Sequence, residues 1–175
     1  AAGLFLVAFA LVVAVLVGKQ SEGRWLDRAP SLSVAGAEFE ITRGTGRKSP
    51  SGTTLEAFDS TGIGVLSARV APFAAEPYPR VDVALKAVGP ARPTIALLWR
   101  TREHPNRAFS KPLQWVDDRA APLSLDADDG WSGTITGLAV VVRGRVPEPL
   151  VLESVTMPGL SVRTALREIA AQWTR

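Results

Sequence analysis

From residue 32 to residue 157 hydrophobic side chains recur with a period of two, and no stretch in between carries a helical repeat. Such a chain must bury one face of many short strands, because alternation sends successive side chains to opposite faces. Arg80–Val88 places Val81, Val83, Leu85 and Ala87 on one face, against Asp82, Ala84 and Lys86 on the other. Pro93–Thr101 does the same with Ile95, Leu97 and Trp99, leaving Thr94, Ala96, Leu98 and Arg100 opposite. The link GPARP between them reads as a turn, so the two are expected to be antiparallel neighbours. Ile63–Val70 is a further strand. Thr134–Arg143 is apolar on both faces in its second half, as a central strand would be. Leu150–Met157 follows a turn-rich link, and Glu38–Thr42, Lys111–Val116 and Pro122–Leu125 are shorter candidates. About eight strands without crossover helices favour an antiparallel β-sandwich of the jelly-roll kind over an α/β fold.

The two ends differ from this pattern. Residues 1–18, AAGLFLVAFALVVAVLVG, hold no charge and no strong polar group. As a helix they reach about 27 Å, close to a bilayer's hydrocarbon core of about 30 Å. A water-soluble helix would show a polar face and this run has none. The run therefore reads as a single transmembrane helix, retained because no A-x-A-like cleavage site closes it. Ala10, Ala14 and Gly18 repeat a small-x-x-x-small spacing that would let a second helix approach closely. Residues 19–31 read as a juxtamembrane linker, with Trp25 at the interface or in a core. Lys19, Arg24 and Arg28 are offset by Glu22 and Asp27, so flanking charge does not fix the orientation. By analogy with exported modules, the expected side is extracytoplasmic, in the periplasm. At the other end, Val162, Leu166, Ile169 and Trp173 line a helical stripe over residues 159–175, with Ser161 as N-cap. This amphipathic helix packs on the sandwich, lies at the membrane surface, or leads into further chain, its pattern still running at Arg175. The domain plan is thus 1–18, 19–31, 32–158 and 159–175.

Composition removes several functions. There is no cysteine, which excludes disulfides, thiolate metal sites and a thiol nucleophile. Twenty basic residues against 17 acidic ones are interspersed, so there is no basic tract for nucleic acid. Arginine supplies sixteen of those twenty, as expected from a GC-rich bacterial genome. The single histidine, His104, lies in the turn-like TREHPN, and no G-x-S-x-G elbow accompanies it. One imidazole without a thiolate is also poor zinc ligation. Gly44–Gly52 (GTGRKSPSG) misses the phosphate-loop spacing and reads as a hairpin or loop. Asp126, Asp128 and Asp129 offer hard oxygen ligands but not the EF-hand order, leaving calcium or an Asx turn. No cofactor is expected, and no enzyme.

Five tryptophans are more than an ordinary share. Trp99 belongs to a buried strand face. Trp115 and Trp131 flank the acidic segment, where an apolar plate beside hydrogen-bonding groups is the arrangement that grips a sugar ring. Trp115, Trp131, Asp128, Asp129 and Arg107 are therefore candidate glycan contacts. The other reading of both rings is that they close the ends of the sandwich. From Thr94 to Met157 the runs IALLWRT, SKPLQW, GWSGTITGLAVVV and EPLVLESVTM resemble galactose-binding-like, or carbohydrate-binding-module-type, jelly rolls. The resemblance covers about a third of the chain. It implies consecutive sandwich strands and either glycan binding or service as a spacer or docking surface. It carries no family binding residue onto this sequence.

Two functional expectations follow. The first is a non-catalytic, membrane-anchored accessory subunit whose partners are the lipid bilayer and other membrane protein subunits. The second is a glycan-binding module serving cell-envelope polysaccharide assembly or export.

Overall fold

Thirteen strands and one short 3-10 turn make up the computed structural model, which describes residues 29–144 and 149–159. In chain order they are β1 (Leu32–Ala35), the turn Gly36–Glu38, β2 (Glu40–Arg43), β3 (Thr45–Ser49), β4 (Gly52–Ala57), β5 (Ile63–Ala74), β6 (Arg80–Ala87) and β7 (Thr94–Thr101). Then come β8 (Ala108–Leu113), β9 (Trp115–Val116), β10 (Arg119–Ala120), β11 (Leu123–Ser124), β12 (Thr134–Arg143) and β13 (Leu150–Met157). Ser31–Pro158 form one compact unit. Of the other unit, made from the two ends of the chain, only residues 29, 30 and 159 are described. The apolar run 1–18, its Ala10, Ala14 and Gly18 face, and the amphipathic stripe lie outside the described residues. Among the described residues no helix is long and apolar enough to cross a membrane.

Every strand pairing is antiparallel, in two sheets. The larger runs β3-β4-β13-β6-β10-β9, with β1 beside the second half of β13 and β11 beside β6. The smaller runs β2-β5-β12-β7-β8. β12, apolar on both faces in its second half, lies third of five, with its inner face buried and Gly137 and Ala139 half-exposed on the outer one. The alternating rows become the core. Val81, Val83 and Leu85 of β6 face inward, with Leu150, Leu152, Val155 and Met157 of β13. Leu66 of β5, Ile95, Leu97 and Trp99 of β7, and Leu138, Val140 and Val142 of β12 do so from the smaller sheet. The sheets close tightly at one point. A Cβ on Gly64 of β5 would sit 2.3 Å from Leu55 Cδ2 of β4, so only glycine admits that leucine.

One expectation is overturned. β6 and β7 are not neighbours, since β6 pairs with β13, β10 and β11 while β7 pairs with β12 and β8. The GPARP link crosses from one sheet to the other. Its prolines cannot donate into a ladder, which ends a strand without choosing the next partner. Arg92 holds the crossing in shape, donating to Asp117 O at 2.6 Å and to Gly89 O at 2.6 Å. Gly44–Gly52 becomes the β3–β4 hairpin.

Candidate functional site

Trp131 is 5% exposed, so its ring is core rather than a plate for a ligand. Its indole N–H donates to Tyr78 O at 2.7 Å, and its ring meets Trp99 edge-on with centroids 5.3 Å apart. Trp99 donates to Gly130 O at 2.7 Å and stacks on Phe109 at 6.1 Å. Phe73 and Tyr78 complete the cluster, which closes one end of the sandwich. Both indole donors end on backbone carbonyls, as a buried indole requires.

Trp115 is half-buried at the opposite end of β7, donating to Pro93 O at 2.7 Å. The Arg92 guanidinium lies 5.6 Å from its ring centroid. Pro93 and Trp99 are six residues apart on an extended chain, about 20 Å. Trp115 and Trp131 therefore do not share a site. Asp128 caps the turn at Gly130, accepting from its N–H at 3.0 Å, and lies 3.8 Å from Lys111 Nζ. Asp129 is exposed. Among the described residues no three acidic or imidazole side chains come together as a metal set. Arg107 is exposed and covers Phe109, its guanidinium 4.6 Å from the ring. His104 is an exposed loop residue against the same ring. The five residues singled out thus spread over two ends of the domain.

An open groove of about 1190 Å³ lies elsewhere, on the outer face of the five-stranded sheet. Strand register lays out this outer face in rows, part of which line the groove. One row reads Glu40, Ser67, Ala139, Leu98, Ser110 across β2, β5, β12, β7 and β8. The next reads Arg69, Gly137, Arg100, Ala108 across β5, β12, β7 and β8. On the other side of the first lie Val65, Val141, Ala96 and Pro112. The floor is small and aliphatic, and hydroxyls and charges stand towards the margins. Glu38 also borders it, with one carboxylate oxygen already accepting from Ala35 N–H at 3.0 Å. Against β7, Thr136 is the extra residue of a β-bulge between Ile135 and Gly137, whereas against β5 the excess lies on β5, where residues 70–72 face Thr136. A bulge at a sheet margin re-aims the side chains that follow it.

No protein-family model matches the chain, and no curated protein matches it in sequence. Solved structures do match. The low-affinity xylan-binding module CBM86 from the gut symbiont Roseburia intestinalis aligns with 74% of this chain and 95% of its own, at 8% identity and a TM-score of 0.52. A family 29 carbohydrate binding module aligns with 76% of this chain and 91% of its own, at 9% identity and 0.49. The xylan-binding module CBM15 aligns with 77% and 98%, at 13% identity and 0.47. The domain shares the β-sandwich fold of the CBM86 structure. That is the architecture the strand runs from Thr94 to Met157 resemble.

Electrostatics bear on the frame of this fold rather than on the groove. Glu103 is held below the usual carboxylate range, first by its own backbone N–H and then by that of Thr134, which lies 3.0 Å from Oε2. Glu76 takes the N–H of the preceding Gly133 at 2.9 Å. Two carboxylates thus receive the N–H groups of Gly133 and Thr134 where the chain enters β12. Burial pushes the Tyr78 phenol up. Sequence reasoning put the outward residues of β7, Ala96, Leu98 and Arg100, on one face. It missed the groove, because which outward rows lie side by side depends on strand order.

Proposed function

We propose that the β-domain is a non-catalytic glycan-binding module that lays an extended saccharide chain across the outer face of the five-stranded sheet. The observation that carries this reading is the groove itself. It is open, crosses several strands, and sets an aliphatic floor of Leu98, Ala139 and Val65 beside the polar groups of Ser67, Thr42 and Glu40. Sugars present alternating C–H faces and hydroxyl edges, and such a surface offers a partner to each. Five strands give a width of about 19 Å, enough for several sugar rings. The solved xylan-binding module CBM86 shares the fold, which supports the reading without assigning the ligand.

Two features set the expected affinity. No aromatic ring stands in the outward rows of this groove, so the stacking energy of an indole plate is missing. Binding then rests on hydrogen bonds and shape, and weak binding is expected. The competing expectation, an accessory subunit of a membrane assembly, drew on residues 1–18, outside the described residues, and no feature of the described domain favours it.

Affinity electrophoresis of the full chain through gels containing xylan, glucomannan, β-glucan or pectic polysaccharide tests the proposal. Retardation by at least one of them is expected. Ala139→Glu puts a charged side chain on the floor, at a half-exposed position that the core does not use, and should abolish it while near-UV circular dichroism stays unchanged. Absence of retardation by every polysaccharide, or retention unaffected by Ala139→Glu, would sink the idea.

A further inference from the structure

The row Arg69, Gly137, Arg100 gives the groove a chemical preference. Gly137 of β12 pairs directly with Arg69 of β5 on one side and with Arg100 of β7 on the other. All three residues border the groove. Both arginines are exposed, and no ion pair among the described residues engages either guanidinium. The nearest acid by register, Glu40, pairs with Ser67 and so stands one row away from Arg69, on the edge strand. The backbones that carry these two like charges are thus two strand spacings apart, about 9.5 Å, across a residue with no side chain.

That glycine is not required by the backbone or by packing. A Cβ there would meet only Ala68 O, at 3.7 Å, an ordinary contact, and no positive φ is involved. Gly64 on the neighbouring strand is the opposite case, with Leu55 filling its space. The gap at Gly137 instead leaves open floor between two guanidinium groups, each able to offer a carboxylate two parallel donors.

We infer that this row is an anion subsite, and that the glycan taken by the groove is acidic, with a uronic acid carboxylate seated over Gly137 between Arg69 and Arg100. The inference rests on the groove being the saccharide site. The sugar ring carrying the carboxylate lies on the glycine floor, where any larger residue would lift it away from the arginines. Its neighbours extend over Ala139 and Leu98.

The experiment measures binding of the full chain to polygalacturonate and to its fully methyl-esterified form, which keeps the backbone and removes the charge. The acidic form should bind about tenfold more tightly, the scale of one charge-assisted hydrogen-bonded contact. Arg69→Gln with Arg100→Gln should erase that difference. Lys86→Gln with Arg119→Gln, a directly paired couple on the other sheet, removes the same net charge and should leave the difference intact. Gly137→Val should weaken binding of both forms while the unfolding midpoint stays close to that of the parent. Equal binding of the two forms overturns the inference, as does an effect of the Lys86 and Arg119 pair equal to that of the Arg69 and Arg100 pair. If neutral polysaccharides are bound and the acid is not preferred, the inference fails while the glycan-binding reading stands. If no polysaccharide is bound, both fail.

Discussion

Trp131 and Trp115 carry the same side chain into different energetic situations. Trp131 is buried, hydrogen-bonded and in contact with Trp99 and Phe73. Trp131→Ala removes the ring and leaves a cavity, which costs about 3–5 kcal/mol. Trp115→Ala loses one hydrogen bond and partial burial, about 1–2 kcal/mol. Urea midpoints should separate the two variants, and equal midpoints would contradict the placement of the rings. Asp59 makes a second test. The Thr61 hydroxyl, at 2.6 Å, and then the Ile63 N–H, at 3.0 Å, hold its pKa down to about 2, with the Thr61 N–H and Arg43 adding to the effect. The folded value lies below the ordinary 3.8, so its contribution is complete above about pH 4 and is lost as pH falls towards 2. Asp59→Asn should therefore be less stable than the parent at neutral pH, with the two converging between pH 4 and pH 2. Thermal midpoints across that range check it. A gap that stays constant down to pH 2 would rule out the titration.

Elements differ in how far the sequence announces them. Thr134–Arg143 and Leu150–Met157 stand in the structure with the bounds their alternation gives. Both are central strands, where the apolar signal is strongest. β3 is different. Its residues TGRKS hold no apolar side chain and four of the five are exposed, so nothing in their pattern marks a strand. It forms because β4 offers an open edge across a short turn, and pairing supplies what the pattern does not. The two-residue strands β9, β10 and β11 are fixed in the same way by β6 and by each other. The β6–β7 link shows the complementary limit. Turn residues locate the end of a strand, whereas the sheet the chain enters next depends on core rows contributed by segments far away. The candidate site was hidden for that reason. Arg100 and Leu98 were legible as outward residues, but Arg69, Gly137 and Arg100 become a row only when β5, β12 and β7 lie side by side. Of the two alternatives for the rings, Trp131 took the core one, and composition could not choose because amphipathic rings serve core and ligand equally well.

At the scale of the molecule, the last strand in the chain is among the most central. β13 lies between β6 on one side and β4 with β1 on the other, and Leu32 pairs with Met157. The chain must bring together segments separated by more than a hundred residues before the larger sheet exists. Long loops of this kind slow folding, because closure entropy is lost before the contacts that compensate it form. Removing β13 strips β6 of its longest pairing and exposes Leu152, Val155 and Met157's share of the core, which the smaller sheet alone cannot replace. A chain ending at Arg143 keeps all five strands of the glycan-facing sheet yet loses β13, the strand that joins β4 and β1 to β6 in the sheet covering their inner face. It should lack the near-UV signal of the packed Trp99–Trp131 cluster, aggregate, and bind no polysaccharide even though every groove residue is present. A chain covering residues 31–158 retains every pairing described for the sandwich and should keep both the signal and the binding. Circular dichroism and gel retardation of the two truncations decide the matter. If the shorter chain folded and bound, the groove would belong to one sheet. If only the longer one does, the site is a property of the closed sandwich, with the larger sheet acting as the support that fixes Arg69, Gly137 and Arg100 in register.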